Sequence, residues 1–169
     1  GELTGRKIVL VGAGKMSKAA AEHLKSNWVG QVTVVGRTQD KIDRIAEELG
    51  AESVKIDRLG ECLAEADVVI SSTSSPGYVI TQDLLESAIA QRVCSPMILI
   101  DIAVPRDIEP SVSSVQNIFL YDIDDLQFLV GRHESERLGE VEKVRAIVDE
   151  ECSVFMDYLR SLEAVPLIN

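Results

Sequence analysis

Residues 12–17, Gly12-Ala13-Gly14-Lys15-Met16-Ser17, follow an apolar run at 7–11 (KIVLV) and lead into helix formers at 18–24 (KAAAEHL). A strand that breaks into two glycines one residue apart and then opens a helix presents bare backbone amides to an anion. Gly12 permits the tight strand-to-helix turn, and Gly14 leaves room for a pyrophosphate against the helix N-terminus. The third position of the G-x-G-x-x-[G/A] pattern serves only close packing of helix on strand. Ser17 stands there, one oxygen larger than alanine, so the pattern is weakened and a dinucleotide site over residues 12–17 is still expected.

The end of the second expected strand, residues 32–35 (VTVV), bears on which dinucleotide. A site for NAD would place Asp or Glu there to accept from the ribose 2′-hydroxyl. This chain has Gly36-Arg37-Thr38, with Lys41 one helical turn farther on. Arg37 offers a planar fork of donors to a 2′-phosphate, and Thr38 adds a hydroxyl. A charge-assisted hydrogen bond contributes roughly 1.5–3 kcal/mol, so one or two favour NADP over NAD by roughly tenfold to several hundredfold. Ser72, Thr73 and Ser74 close the fourth expected strand and are placed at the same edge of the sheet, lining the crevice.

The elements that must position these residues read as an alternation. Thr38 is the expected N-cap of a helix carrying Ile42, Ile45, Ala46 and Leu49 at helical spacing, stopped by Gly50. Strands are expected at 53–56, 66–73 (ADVVISST), 97–101 (MILID) and 117–121 (NIFLY), with helices at 59–65 and 81–91. Six strands interleaved with helices predict an α/β fold, a doubly wound parallel sheet of Rossmann type, because each parallel crossover needs a return path. Beyond Ile123 no strand signal remains. Val141, Val144, Val148, Cys152, Phe155, Leu159 and Leu162 recur at three or four residues, predicting a long C-terminal amphipathic helix that Gly131 and Gly139 would kink or break. The expected division is a dinucleotide-binding domain over 1–130 and a connecting or dimerisation helix over 131–169.

Composition bounds the function. The chain has 169 residues, 46% of them hydrophobic but only 4% aromatic, as fits strands of Val, Ile and Leu buried on both faces. A formal net charge of -11 disfavours holding a polyanion such as RNA. Cys62, Cys94 and Cys152 are odd in number and widely spaced, without a CxxC or His pattern, which points to reduced structural thiols rather than disulfides or zinc. The amino-terminal GELTGRK has no apolar signal core, and no apolar run approaches the length of a membrane helix. A start just before a strand and an apolar, proline-containing end (AVPLIN) are expected of a piece of something longer.

Two later stretches carry a family resemblance. IDIAVPRDIEP at 100–110 and LYDIDDL at 120–126, together with GAGKM at 12–16, the Arg37-Thr38 pair and ADVVISSTSSP at 66–76, resemble the NADPH-binding domain of glutamyl-tRNA reductases. The resemblance departs at Ser17 and at Gly36, where the family usually has an Asn before the Arg. It implies a module that supplies hydride from NADPH for reduction of a glutamyl thioester to glutamate 1-semialdehyde, in tetrapyrrole synthesis. It implies as partners an N-terminal catalytic domain with the nucleophilic cysteine, a C-terminal dimerisation domain, and glutamyl-tRNA bound through other domains. No residue of this chain takes the catalytic role, so the chain alone is expected to be silent toward glutamyl-tRNA. Location would be bacterial cytoplasm or plastid stroma.

Pro105 fixes its own φ and pushes Val104 toward an extended conformation, which would hold Ala103, Val104 and Pro105 rigid at the carboxyl edge, where the nicotinamide is expected. Arg106 and Asp107 are read either as a local ion pair or as contacts to another domain. Two alternatives stand beside the main reading: the cofactor domain of a shikimate- or quinate-type dehydrogenase, and a non-catalytic nucleotide-sensing or assembly module.

Overall fold

A computed structural model describes residues 5–26, 30–90, 92 and 96–128. The apolar runs become β1 (Lys7–Val11), β2 (Gln31–Gly36), β3 (Glu52–Lys55), β4 (Val68–Ser71), β5 (Met97–Asp101) and β6 (Ile118–Asp122). Along β1, Ile8 and Leu10 face one layer while Val9 and Val11 face the other, and all four are buried. A strand buried on both faces gains from a continuous apolar run, which is why no polar alternation marks it in the sequence.

The strands pair in the order β3-β2-β1-β4-β5-β6, every pair parallel. The chain winds outward from β1 to β3, then returns to lay β4 on the other side of β1. The order therefore reverses between β1 and β4, and a crevice opens at their carboxyl ends.

Helices α1 (Lys15–Ser26) and α2 (Gln39–Leu49) form one layer, packing Ala21, Leu24, Ile42, Ile45 and Ala46 on Ile8, Leu10, Val32 and Val34. Helices α3 (Leu59–Glu65) and α4 (Gln82–Ile89) form the other, with Leu59, Leu63 and Leu85 against Val9, Val11, Val69 and Leu99. Gly50 ends α2 in the left-handed region at φ 67°, its N–H donating to the Ala46 and Glu47 carbonyls, as expected of a C-terminal glycine. Thr81 caps α4 by accepting from the Leu84 N–H. Thr38 sits at the N-cap of α2 but its hydroxyl makes no capping bond.

Two departures from the expected pattern have physical causes. β4 is shorter than 66–73 because Ala66 ends α3 and the Thr73 N–H turns away from the sheet to a side chain, Asp107. Between β5 and β6 the return path holds a 3-10 turn, Pro110–Ser114, whose Val112 is buried in the α3/α4 layer. On the opposite face Ile98 and Phe119 stay exposed, at 38% and 50%.

Residues Gly1–Asp125 group into one compact unit. The expected helix over 131–169, with its stripe from Val141 to Leu162, lies outside the described residues, as do Cys94 and Cys152. Among the described residues, no helix is long and apolar enough to cross a membrane.

Candidate functional site

The crevice at the carboxyl ends of β1, β2 and β4 has a volume of about 520 Å³. Its lining brings together Gly12, Ala13, Gly14, Lys15 and Met16 from the first turn and Arg37, Thr38 and Lys41 from the second. Ser72, Thr73 and Ser74 come from the end of β4. Of the residues expected in the site from these three segments, only Ser17 is missing from the lining.

The first turn is forced by backbone contact. Gly12 has φ 111°, its N–H donates to the Val35 carbonyl at 2.8 Å, and a Cβ there would lie 2.4 Å from the Ser72 carbonyl oxygen. Gly14 has no such reason in the protein, since its Cβ would come no closer than 3.8 Å to Ser72. Space kept open over Gly14 therefore faces the crevice. α1 begins at Lys15 and its first helical bond beyond the turn is Lys18 N–H to Gly14 C=O, so the amides of residues 15–17 lack a helical acceptor. The first turn of α1 also holds no acidic side chain and begins with a lysine. That arrangement opposes the helix dipole unless an anion is present.

Ser17 stands behind the turn rather than in the crevice. It is 2% exposed, and its hydroxyl donates to the Ser72 carbonyl at 3.4 Å. The extra oxygen is thus accommodated by a weak bond to the segment that Gly12 also touches.

The second turn supplies charge. Lys15, Arg37 and Lys41 line the crevice without an Asp or Glu among the lining residues, and among the described residues no hydrogen bond or ion pair engages these three side chains. The uncommitted Thr38 hydroxyl adds a donor beside them. Gly36, which precedes Arg37, is explained by packing: a Cβ would meet Ile42 Cγ2 at 2.6 Å, and Ile42 is fully buried. Gly36→Asn, the residue usual in the family it resembles, should therefore cost about 1–3 kcal/mol through overpacking. Urea denaturation reads this, and an unchanged midpoint would show that Ile42 yields freely.

Ala103, Val104 and Pro105 do not line the crevice. Ala103 is buried, Val104 is 83% exposed, and the peptide joining Val104 to Pro105 is cis. Arg106 and Asp107 are not a pair. Arg106 bonds to Asp122, and Asp107, fully buried, accepts from the Ser71 hydroxyl at 2.8 Å, the Thr73 N–H at 2.6 Å and the Thr73 hydroxyl. Asp101, at the end of β5, accepts from the N–H groups of Ala103, Asp107 and Ile108 at 3.0, 2.9 and 2.9 Å. Burial pushes the Asp101 carboxyl up, and those three amides pull it down.

Sequence reasoning missed Gly36, Ile56, Ser75 and Val79, which complete the lining, and both buried carboxylates. Ile56 had a signal, as the first residue after β3 at the same edge. Cys62 is partly buried, and burial pushes its thiol up, away from nucleophilic use.

A family model described as shikimate / quinate 5-dehydrogenase matches residues 1–129. The chain belongs to the shikimate / quinate 5-dehydrogenase family. This dehydrogenase-family chain is also homologous along its length to glutamyl-tRNA reductases. It is 43% identical over 169 residues to the one from Natranaerobius thermophilus, covering 100% of this chain and 37% of that relative. The glutamyl-tRNA reductase structure from Methanopyrus kandleri superposes with a TM-score of 0.79 at 36% identity, over 96% of this chain and 41% of that one. The nucleotide binding domain of glutamyl-tRNA reductase from Thermoplasma volcanium matches at a TM-score of 0.61 and 26% identity, over 79% of this chain and 86% of that one. The chain thus spans little more than a third of the length of the curated relatives it matches.

Proposed function

We propose that this chain is the NADPH-binding module of a glutamyl-tRNA reductase. The observation that carries the cofactor choice is the rim of Lys15, Arg37 and Lys41, free of carboxylates, on the crevice that the glycine turn opens. Homology over the whole chain to glutamyl-tRNA reductases supports this reading above that of a shikimate or quinate dehydrogenase.

The amides of residues 15–17 at the start of α1 hold the pyrophosphate, and the space over Gly14 lets it approach the backbone. Arg37 with Thr38 and Lys41 binds the 2′-phosphate, where an NAD site would place an acid to accept from the ribose 2′-hydroxyl. The 72–74 segment orients the nicotinamide half, and the 103–105 turn, expected to share that role, stands outside the crevice. When bound, the cofactor would supply hydride to a glutamyl thioester formed on another domain of a longer enzyme, where cleavage of the C–S bond would release the cysteine thiolate and glutamate 1-semialdehyde and leave NADP+. The contribution of this chain is positional, since fixed geometry removes the entropy of bringing the two reactants together.

Residues from about 131 onward join the module to a dimerisation domain, the RNA is held by other domains, and the protein works in a cytoplasmic or stromal compartment. The chain alone should leave glutamyl-tRNA unreduced. The net charge of -11 supports the placing of RNA elsewhere.

Titration of the chain with NADPH and NADH tests the reading. NADPH should bind more tightly, and Arg37→Ala should weaken it by roughly tenfold to several hundredfold while NADH changes little, as expected for loss of one or two charge-assisted bonds. Equal affinities for the two cofactors, or an Arg37→Ala chain that binds NADPH as before, would sink the proposal.

A further inference from the structure

Asp107 lies outside the crevice and is fully buried, yet it determines the shape of one wall. One carboxylate oxygen accepts from the Ser71 hydroxyl and the Thr73 N–H, and the other from the Thr73 hydroxyl. That hydroxyl in turn accepts from the Ser75 N–H at 3.0 Å. Ser72 is still held by the sheet, its N–H donating to the Val11 carbonyl at 2.9 Å, but the bends from Thr73 to Ser75 are set by the Asp107 side chain. Asp107 is itself anchored on both sides of its backbone. Its N–H donates to Asp101, and its carbonyl accepts from Val79 and Ile80 at 2.6 and 3.0 Å.

The sheet order says which half of a dinucleotide that wall meets. Arg37 follows β2 on one side of β1, and Ser72 follows β4 on the other, with the glycine turn between them. A pyrophosphate on that turn lays its phosphorylated adenosine toward β2 and its remaining half toward β4. We propose that Asp107 is a positioning residue for the cofactor, holding the 72–75 segment in the conformation that receives the nicotinamide half. The proposal rests on the NADPH reading above and extends it to a residue that never touches the ligand.

The test compares two ligands on the full chain: NADPH, which spans both halves, and adenosine 2′,5′-bisphosphate, which occupies only the adenosine half. Asp107→Ala should weaken NADPH at least tenfold and leave the bisphosphate within about twofold. Asp107→Asn keeps the shape and an acceptor but turns an amide toward the Thr73 hydroxyl, so it should give a smaller loss in the same direction. It carries the test if the alanine variant fails to fold. Arg37→Ala should differ at the bisphosphate, weakening both ligands. NADPH binding unchanged in both Asp107 variants, or an equal loss of the two ligands, would overturn the positioning role. If the unmodified chain bound neither ligand, the cofactor reading would fall first, and this proposal with it.

Discussion

Gly12→Ala should abolish NADPH binding, lowering affinity by at least about a hundredfold, and should destabilise the fold by about 2–4 kcal/mol, the combined scale of left-handed strain and overpacking. The methyl group would be driven to 2.4 Å from the Ser72 carbonyl oxygen and 2.8 Å from its carbon, both backbone atoms that cannot rotate aside. The residue would also have to hold φ at 111°, which an L side chain resists. Relief requires the first turn to move away from β4, and that closes the space where a pyrophosphate would lie. Gly14→Ala is the informative companion. Its methyl group would meet only ordinary contact at 3.8 Å, so the urea midpoint should stay near that of the parent while NADPH binding falls. Cofactor titration and denaturation on the two variants separate the demands of the fold from those of a ligand. A Gly14→Ala chain that binds normally would mean that nothing approaches that amide.

Asp101→Ala should be the most destabilising single change among the polar residues described, at about 3–5 kcal/mol. The carboxylate satisfies three backbone N–H groups, of Ala103, Asp107 and Ile108, each on a residue no more than 7% exposed. Water cannot readily replace it, and each orphaned buried donor costs about 1–3 kcal/mol. Asp101→Asn retains one acceptor but sets its amide hydrogens against remaining donors, so its loss should be intermediate. Urea denaturation of both variants reads this. An alanine variant within about 0.5 kcal/mol of the parent, as for an ordinary surface substitution, would show that the loop finds other acceptors.

How much could be read beforehand follows from how local each cause is. β1 and β5 were legible to the residue because their apolar runs are flanked by residues that cannot continue a strand: Gly12 at φ 111° after β1, and the Asp101-centred turn after β5. The end of α2 was legible because Gly50 meets a requirement that its own backbone sets. The cluster of Arg37, Thr38 and Lys41 was legible because the doubly wound order puts the end of β2 beside the glycine turn. Asp107 was not. Its partners are 34 and 36 positions away, and the neighbouring Arg106 offered a local pairing that the structure gives instead to Asp122. Ser17 shows the same limit. Its place in the motif groups it with neighbours that face the crevice, whereas its hydroxyl is turned to the Ser72 carbonyl, 55 positions away, behind the turn.

The interlocked carboxylates also constrain descent. Losing the acceptor at Asp107 strands donors at Ser71 and Thr73, and losing Asp101 strands the amide of Asp107 itself. Four sites drawn from two distant stretches of the chain thus depend on one another, and a change at any of them is expected to need a compensating change at another.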